Sequence, residues 1–471
     1  MMNKNHGPFL PFGLLVVSIA GTGSLLSAQS TVLKPNIVVI MTDQQSADAM
    51  SSRIGSRYLK TPNMDYLASH GITFTRAYCA NPLCIPSRSS MFTGLYPHQV
   101  GIQANDNEKN LSSLSFQMMG TIFQKGGYET AYFGKWHLPY DLKNKDSHGF
   151  EWMSNNKSNG VDSLIPEDAI GFLHRKHEKP FLMVTSFVDP HNICEWARGQ
   201  KLPDGEVGVP PNAEDCPPLL ANHAPSKNES DIVSLLRTSA HASPMFPVGN
   251  FDDAKWRQYL WAYYRMIEKT DGQIGKILDE LRKSGIDKNT VIVFLADHGD
   301  SQGAHFLNQK TNFFEEVVNV PFIITLPGKS KPEVSRQLVQ TGIDLIPTIC
   351  DYAGIPVPAE LPGLSARRIS AGGKNPDRSF VVTSVKPIQG SPVNGVKPDP
   401  DGRMVRGERY KYWIYSQGTQ RESLFDTKKD PGEMVNLATD PKYKSILLES
   451  RKLLATWCEK YNDSFAQYLI K

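Results

Sequence analysis

The chain of 471 residues is long enough to bury a large core and to form more than one domain. Lysine and arginine together number 51 against 48 aspartates and glutamates, so the net charge of +3 offers no field for nucleic acid, and we expect no such partner. With 40% hydrophobic and 21% charged residues, the composition is that of a globular protein rather than a disordered one.

Residues 1–28 are typical of an export signal. Lys4 and His6 precede the apolar stretch FLPFGLLVVSIAG, and small residues lead up to Ala28. Because proline and glycine interrupt this short run, we expect a cleaved signal rather than a membrane anchor, and export to the periplasm or the cell exterior. Nothing later in the sequence is long and apolar enough to predict stable membrane insertion.

Four apolar runs predict buried parallel strands, and each run ends in polar side chains. The runs are KPNIVVIMTDQQ (34–45), GYETAYFGKWHLP (127–139), KPFLMVTSFVDPHN (179–192) and NTVIVFLADHGD (289–300). Helix-like stretches lie between them, such as residues 264–285, where apolar side chains follow a period of 3.6. This alternation predicts an α/β fold with a large, mostly parallel mixed sheet flanked by helices, in which ligands bind at the carboxyl ends of the strands.

The pattern changes in the last quarter of the chain. Residues 402–418 and 422–431 alternate like antiparallel strands, and residues 442–461 have the periodicity of an amphipathic helix. We therefore expect a main domain over residues 34–375 and a smaller C-terminal α+β domain with an antiparallel sheet over residues 376–471.

Six cysteines are present, at positions 79, 84, 194, 216, 350 and 458, and none forms a CxxC motif. Export permits disulfides, and Cys194 and Cys216, on either side of a proline-rich insertion, are the best candidates for one. Cys84 lies in CIPSR, where Pro86 favours the first turn of a helix whose N-terminus would attract an anion. A buried structural thiol is the ordinary interpretation of a single cysteine.

The CIPSR motif at 84–88 also matches the C-x-P-S-R pattern of type I sulfatases, and the SSMFTGLYPHQVG that follows is similar to the rest of that signature. Further matches occur in the family's order: PNIVVIMTDQQ, TPNMDYLASHGITFTRAYC, GKWHLP, DPHN, ADHGDSQGAHFLNQKTNFFEE and LFDTKKDPGEMVNLA. On these motifs the chain resembles the formylglycine-dependent sulfatases of the alkaline phosphatase-like superfamily, of the bacterial glycan-degrading kind, over nearly all of residues 34–440.

The resemblance implies that a formylglycine-generating maturation enzyme converts Cys84 to formylglycine (3-oxoalanine), an aldehyde that hydrates to a geminal diol. One hydroxyl of the diol attacks sulfur and expels the alcohol. The other hydroxyl, once deprotonated, collapses to the aldehyde and ejects sulfate by C–O cleavage. The cysteine would then be a precursor of the nucleophile rather than a functional thiol.

By the same resemblance, Asp43, Gln44, Asp297 and His298 bind one divalent metal together with the modified Cys84. The oxygen-rich set favours Ca²⁺. Gln44 and His298 depart from the Asp and Asn of many family members, and an imidazole ligand also suits Mn²⁺ or Zn²⁺.

The resemblance assigns further catalytic roles to five residues. Arg88 would orient the diol by charge-assisted hydrogen bonds. Lys135 would bind the sulfate and the formylglycine oxygen, and His137 would hold the diol and accept its proton. His191 would contact the sulfate and donate a proton to the leaving alcohol, and Lys310 would bind the sulfate and bridge to the leaving oxygen.

The expected activity is hydrolysis of sulfate monoesters on polysaccharide or glycosaminoglycan-derived sugars. A phosphonate monoester or phosphodiester hydrolase of the same superfamily is the first alternative, against which the two predicted sulfate-binding lysines argue. A non-catalytic protein that binds sulfated glycans is the second. Candidates for binding a uronate carboxylate or a second sulfate are Arg198, Lys201, Lys386, Lys397 and Arg403.

Overall fold

The computed structural model of the protein describes residues 34–105, 116–154, 160–328, 331–370, 378–387 and 390–470. The predicted export signal at 1–28 lies outside the described residues. Within these ranges, no helix combines the length and the apolar character that crossing a membrane requires.

Helices and short strands alternate along most of the described chain. The strands are β1 (Asn36–Asp43), β2 (Gly71–Phe74), β3 (Ala77–Tyr78), β4 (Glu129–Gly134), β5 (Trp152–Met153), β6 (Phe181–Pro190), β7 (Thr290–Ala296), β8 (Phe322–Thr325), β9 (Glu333–Ser335), β10 (Val339–Gln340), β11 (Val381–Val385), β12 (Gly402–Arg406), β13 (Tyr410–Tyr415) and β14 (Glu422–Asp426). The helices are α1 (Ser51–Ile54), α2 (Pro62–Ser69), α3 (Cys84–Thr93), α4 (Met119–Lys125), α5 (Lys145–His148), α6 (Ile165–Leu173), α7 (Ile193–Ala197), α8 (Asp231–His241), α9 (Asp253–Lys283), α10 (Glu315–Val318), α11 (Thr341–Ala353), α12 (Arg367–Ser370) and α13 (Lys444–Tyr461).

Eight strands form the central sheet, in the order β5-β4-β6-β1-β7-β8-β2-β9. β1 pairs in parallel with β6 and β7, and β4 pairs in parallel with β5 and β6. β8 runs antiparallel to β7 and β2. This mixed, mostly parallel sheet with helices between its strands confirms the predicted α/β class.

The central strands are buried on both faces, which is why they read as continuous apolar runs rather than alternating ones. Along β1, Ile37, Val39 and Met41 face one hydrophobic cluster, while Val38 and Ile40 face another. The polar side chains that follow each run therefore emerge together at the carboxyl edge of the sheet.

The helix predicted over residues 264–285 is part of the longer helix α9, which has 31 residues. Asp252 caps its N-terminus, since a carboxylate oxygen accepts a hydrogen bond from the backbone N–H of Lys255 at 2.8 Å. Just after the helix, Gly285 has a φ of 73°, the left-handed conformation that commonly ends a helix. The buried side chains of α9 pack against the face of the sheet that contains Val38.

The C-terminal region forms the expected antiparallel sheet, in the order β11-β12-β13-β14. Helix α13 supplies Leu454 and Trp457 to the same hydrophobic cluster as Tyr412 and Leu424 of this sheet. Lys34–Lys471 forms one compact unit. The division of the chain at residue 376 stays a prediction.

A buried group of charges joins this sheet to α10. Lys411 of β13 is fully buried, and its Nζ lies 3.1 Å from Glu315 Oε1 and 2.8 Å from Glu433 Oε1. Burial alone would raise the pKa of Glu315, but Lys411 and Arg406 lower it to about 2. Burial raises the pKa of Glu433 to about 8 in spite of Lys411. Lys411 is therefore the cation that two buried carboxyl groups share.

Replacement of this cation should be costly. We expect Lys411→Met to lower the free energy of unfolding by about 3 kcal/mol, because it leaves two buried carboxyl groups without their shared cation. Urea denaturation of wild type, Lys411→Met and the exposed-site control Lys442→Met measures it. Glu315 stabilises the wild type fully above its ordinary pKa of 4.5, and this contribution is lost as the pH falls towards 2. Equal denaturation midpoints for the two variants would contradict the prediction.

Candidate active site

The carboxyl edge of the central sheet gathers the residues that the sequence analysis singled out. Asp43 ends β1, Lys135 directly follows β4, His191 directly follows β6, and Asp297 directly follows β7. Cys84 is the first residue of α3, at the same edge. The strand order places β4, β6, β1 and β7 side by side, so their ends converge.

Cys84 lies at the centre of this group and is completely buried. Its Sγ is 2.9 Å from Lys310 Nζ, 3.3 Å from His298 Nε2 and 3.7 Å from Asp43 Oδ1. Burial opposes ionisation of the thiol, but Lys310, Lys135 and His298 outweigh it and lower its pKa well below the ordinary value. The position of the sulfur therefore stabilises negative charge.

Four side chains here could hold a metal ion. One ligand atom from each of Asp43, Cys84, Asp297 and His298 lies within 4.8 Å of all the others, and all four residues are buried. Two carboxylates and an imidazole are suitable ligands for a divalent cation, and the Cys84 sulfur marks a fourth ligand position.

Gln44 contacts its neighbours differently from these four residues. Its Nε2 donates to Asp300 Oδ2 at 2.8 Å and lies 3.4 Å from the sulfur of Cys194. Its backbone N–H donates to Asp297 Oδ1 at 3.1 Å. With a φ of 69°, Gln44 adopts a left-handed conformation that is uncommon outside glycine and that recurs at functional sites.

Arg88 is fully buried and donates hydrogen bonds to the carboxylates of Asp43 and Asp297, at the ends of β1 and β7. Its Nε donates to Asp297 Oδ2 at 2.9 Å, and its Nη2 donates to Asp43 Oδ2 at 3.1 Å. Its Nη1 donates to the Ser186 hydroxyl at 2.9 Å and to the Lys135 carbonyl at 3.0 Å. These contacts show Arg88 fixing both carboxylates, and its predicted role at the diol stays a prediction.

Lys135 and His137 approach the group from the end of β4. Lys135 Nζ lies 2.6 Å from Asp43 Oδ2, and its side chain is only 8% exposed. His137 has a φ of 44°, and its buried Nδ1 has no hydrogen-bond partner among the residues that the structure describes. An unpartnered imidazole nitrogen beside these charges is available to a ligand.

His191 and Lys310 complete the cationic side of the site. Burial, then Lys310 and Lys135, lower the pKa of His191 to about 3, so its imidazole is neutral in the free protein at physiological pH. Lys310, itself buried, has a pKa raised above the ordinary value: burial opposes this shift, but Cys84 and Asp43 outweigh it. The site therefore presents two charged lysines and a neutral imidazole to a ligand.

Beside Lys310 lies a cavity of about 50 Å³. Its lining includes Asn308 and Phe313 from the catalytic region, and Trp413 and Tyr415 from β13. Among the described residues no carboxylate lines it. The antiparallel C-terminal sheet thus contributes two buried aromatic side chains to the surroundings of Lys310.

Two expectations about individual residues are wrong. Cys194 and Cys216 do not form a disulfide, since both are buried free thiols. Cys194 belongs to α7, where its sulfur contacts Gln44, and two cysteines that flank an insertion need not have their Cβ atoms close. Arg403 cannot bind substrate, because it is buried in β12 with its Nε 2.7 Å from Asp463 Oδ2.

Sequence analysis also missed Asp300, which is fully buried. Its carboxylate accepts hydrogen bonds from Gln44 Nε2, from the Tyr259 hydroxyl at 2.9 Å and from the backbone N–H of Gln309 at 3.2 Å. Burial raises its pKa to about 6. The signal was present in the ADHGD motif, where Asp300 follows the two predicted metal ligands.

Buried cations, a cysteine at a helix N-terminus and potential metal ligands, all at the carboxyl edge of an α/β sheet, define a site for a small tetrahedral anion. Residues 35–355 match the family model described as Sulfatase, and residues 303–460 match the model described as N-sulphoglucosamine sulphohydrolase, C-terminal. The first match spans more than half of the chain, so the protein belongs to the sulfatase family. It is a sulfuric ester hydrolase of the alkaline phosphatase-like superfamily, as predicted.

Individual relatives are similar to this chain in sequence or structure over nearly its whole length. A Delta 4,5-hexuronate-2-O-sulfatase of Bacteroides thetaiotaomicron is 32% identical, over 95% of this chain and 93% of the relative. A solved structure of a 2-O GAG sulfatase superposes with a TM-score of 0.79 at 30% identity, covering 93% of this chain and 94% of that one. A second, in complex with D-glucosamine-2-N,6-O-disulfate, gives 0.69 at 25% identity, covering 92% and 99%.

Proposed function

We propose that the protein is an exported, formylglycine-dependent sulfatase that hydrolyses O-sulfate esters on polysaccharide or glycosaminoglycan-derived sugars. The observation that carries the proposal is the position of Cys84, whose sulfur lies 2.9 Å from Lys310 Nζ and within 4.8 Å of three potential metal ligands. The names of the relatives, which act on a sulfated hexuronate or bind a sulfated glucosamine, support the substrate class.

The Cys84 sulfur marks the place where the formylglycine oxygens would lie. Once formed and hydrated, that group would supply one hydroxyl to attack sulfur and a second whose deprotonation would release sulfate by C–O cleavage. Because Cys84 is fully buried in the folded protein, a maturation enzyme must act on it before the chain folds. The lysines that stabilise charge at the Cys84 sulfur would equally stabilise an ionised hydroxyl there.

Asp43, Asp297 and His298 would hold one divalent metal, for which we propose Ca²⁺, beside the oxygen of the modified Cys84. Such an ion supplies Lewis-acid stabilisation of the nucleophile. The amide oxygen of Gln44 has only a weak contact, with the Cys194 thiol 3.8 Å away, and is therefore available to the metal. Gln44 stays a proposed fifth ligand for that reason. Arg88 keeps both carboxylates in place for this role.

The remaining residues have separable roles around the sulfate. Lys135 and Lys310 would neutralise its oxygens, with Lys310 nearest the leaving oxygen. Burial, then Lys310 and Lys135, keep the pKa of His191 low in the free protein. A bound sulfate would offset the two lysines, so that His191 could give a proton to the departing alcohol. His137, with its buried unpartnered nitrogen, would accept the proton from the second hydroxyl.

Release of inorganic sulfate tests the proposal. The mature protein should release sulfate from an unsaturated hexuronate 2-O-sulfate or an N-acetylglucosamine 6-O-sulfate. The kcat/KM should exceed that for a phosphonate monoester of the same leaving group by about 100-fold or more, because a sulfate ester presents three non-bridging oxygens to the two lysines and the metal, whereas a phosphonate monoester presents two and a carbon substituent. Faster hydrolysis of the phosphonate would favour the alternative hydrolase. Binding of a sulfated sugar without turnover, by protein that carries formylglycine, would favour the glycan-binding alternative.

Removal of the metal with a chelator tests the proposed metal site. Dialysis against EDTA should remove most of the activity, and Ca²⁺ should restore it better than Mn²⁺ or Zn²⁺. If Zn²⁺ restores more activity than Ca²⁺, the bound metal is Zn²⁺, which suits the imidazole ligand of His298. Full activity in the chelated, metal-depleted protein would contradict the proposed metal site.

A further inference from the structure

The carboxyl end of β6 leaves the regular sheet just before His191. In the pairing of β1 with β6, Met41 lies opposite Ser186, but Asp43 lies opposite Pro190. Three residues of β6, 187–189, therefore face a single residue of β1. On the other side, the ladder between β4 and β6 stops at Ser186. A bulge of this kind removes the strand partners of the backbone groups within it.

Asp162 replaces those missing partners. One of its carboxylate oxygens accepts the backbone N–H of Val188 at 2.7 Å, and the other accepts that of Asp189 at 2.8 Å. Asp162 is only 2% exposed, so without it these two N–H groups would be buried and unsatisfied. The residue lies in the short helical turn Asp162–Leu164, which leads directly into α6.

His191 lies two residues after this bulge. The backbone N–H of His191 donates to the Val188 carbonyl at 3.0 Å, so the peptide units of Val188 are held on both sides. On the far side of the histidine, the Asp189 carboxylate accepts the backbone N–H of Asn192 at 3.3 Å. The backbone before His191 is thus fixed by Asp162, and the backbone after it by Asp189.

We propose that Asp162 is a positioning residue for catalysis: its carboxylate holds the β6 bulge in the one shape that places the His191 imidazole against the leaving oxygen. This inference rests on the proposed role of His191 as the proton donor. In this role Asp162 acts through its hydrogen bonds to the backbone N–H groups of residues 188 and 189.

The substitution Asp162→Asn gives a sharp test. The amide keeps the shape of the carboxylate but replaces one acceptor oxygen with an N–H donor, which must face a backbone N–H donor of the bulge. Two substrates then separate positioning from folding. A sugar sulfate has an alcohol leaving group that needs a proton, whereas 4-nitrophenyl sulfate has a phenolate leaving group that departs without one.

We expect Asp162→Asn to lower kcat for the sugar sulfate about 100-fold, the scale of a misplaced catalytic group, while kcat for 4-nitrophenyl sulfate falls only a few-fold. His191→Ala should show the same selectivity. Asp204→Asn is the matched control, because that carboxylate accepts hydrogen bonds from Ser163 of the same turn, 3.2 Å from its backbone nitrogen and 2.6 Å from its hydroxyl, and within the described ranges it forms no hydrogen bond to β6. The control should leave the ratio of the two kcat values unchanged.

The other outcomes are decisive as well. Selectivity in His191→Ala together with an equal loss on both substrates in Asp162→Asn would overturn the inference and leave the proposed function standing. No selectivity in either variant would overturn both the inference and the assigned role of His191. If Asp162→Asn does not fold, Asp162→Ser, whose single hydroxyl can accept one of the two N–H groups, carries the same expectation.

Discussion

Cys84→Ala should abolish sulfate release, with kcat falling at least about 10⁴-fold, because the variant lacks the side chain from which the nucleophile is made. The fold should persist. Cys84 sits at the first position of α3, where alanine is compatible with a helix. Steady-state assays with a sugar sulfate, together with circular dichroism, measure both effects.

Mass spectrometry of the same proteins links the loss to the modification. A peptide spanning residues 77–88 of the wild type, made in a host with the maturation enzyme, should be lighter by about 18 Da than the unmodified sequence, the change from thiol to aldehyde. Cys350→Ala is the control, since that thiol is buried in α11, whose last residue, Ala353, accepts a hydrogen bond from Tyr128 at the amino edge of the sheet, and it should keep both the mass shift and the activity. Substantial turnover by Cys84→Ala, or an unmodified thiol in fully active wild type, would exclude the formylglycine mechanism.

Much of the site follows from one property of parallel sheets. Asp43 and Asp297 end two apolar runs about 250 residues apart, yet β1 and β7 are neighbours, and their carboxylates meet at Arg88. The same reasoning brings Lys135 and His191 to that edge. A buried strand that ends in polar residues is visible in a sequence, because a continuous apolar run and its abrupt end are local features.

What the sequence could not predict depends on exact local geometry. The role of Asp162 requires a three-residue bulge in β6, and nothing in the letters FVDPHN shows where the ladder breaks. The burial of Arg403 depends on Asp463, 60 residues away, which pairs with it only once α13 and the turn after it pack on the sheet. In both cases the partner of a charged side chain is set by tertiary contacts, which composition and periodicity do not record.

The C-terminal sheet also has a functional consequence that its sequence pattern did not indicate. Trp413 and Tyr415 on β13 line the cavity beside Lys310, so the sheet forms part of the surroundings of the site rather than a separate appendage. Lys411, between them and Glu315, fixes the same strand through its buried charges. Both rings are 1% exposed, so they act on the surroundings of Lys310 through their packing against Phe313 and Phe314.

Lys310→Ala should lower kcat about 10³-fold with a much smaller change in KM, because a cation next to the leaving oxygen acts on charge that develops in the transition state. The pH profile supplies a second readout. Lys310 is one of the groups that lower the pKa of His191, so its removal should raise that pKa and move the alkaline limb of kcat to higher pH. Lys276→Ala, at an exposed lysine of α9, is the control and should change neither quantity. An effect confined to KM would show instead that Lys310 binds the substrate and its transition state equally well.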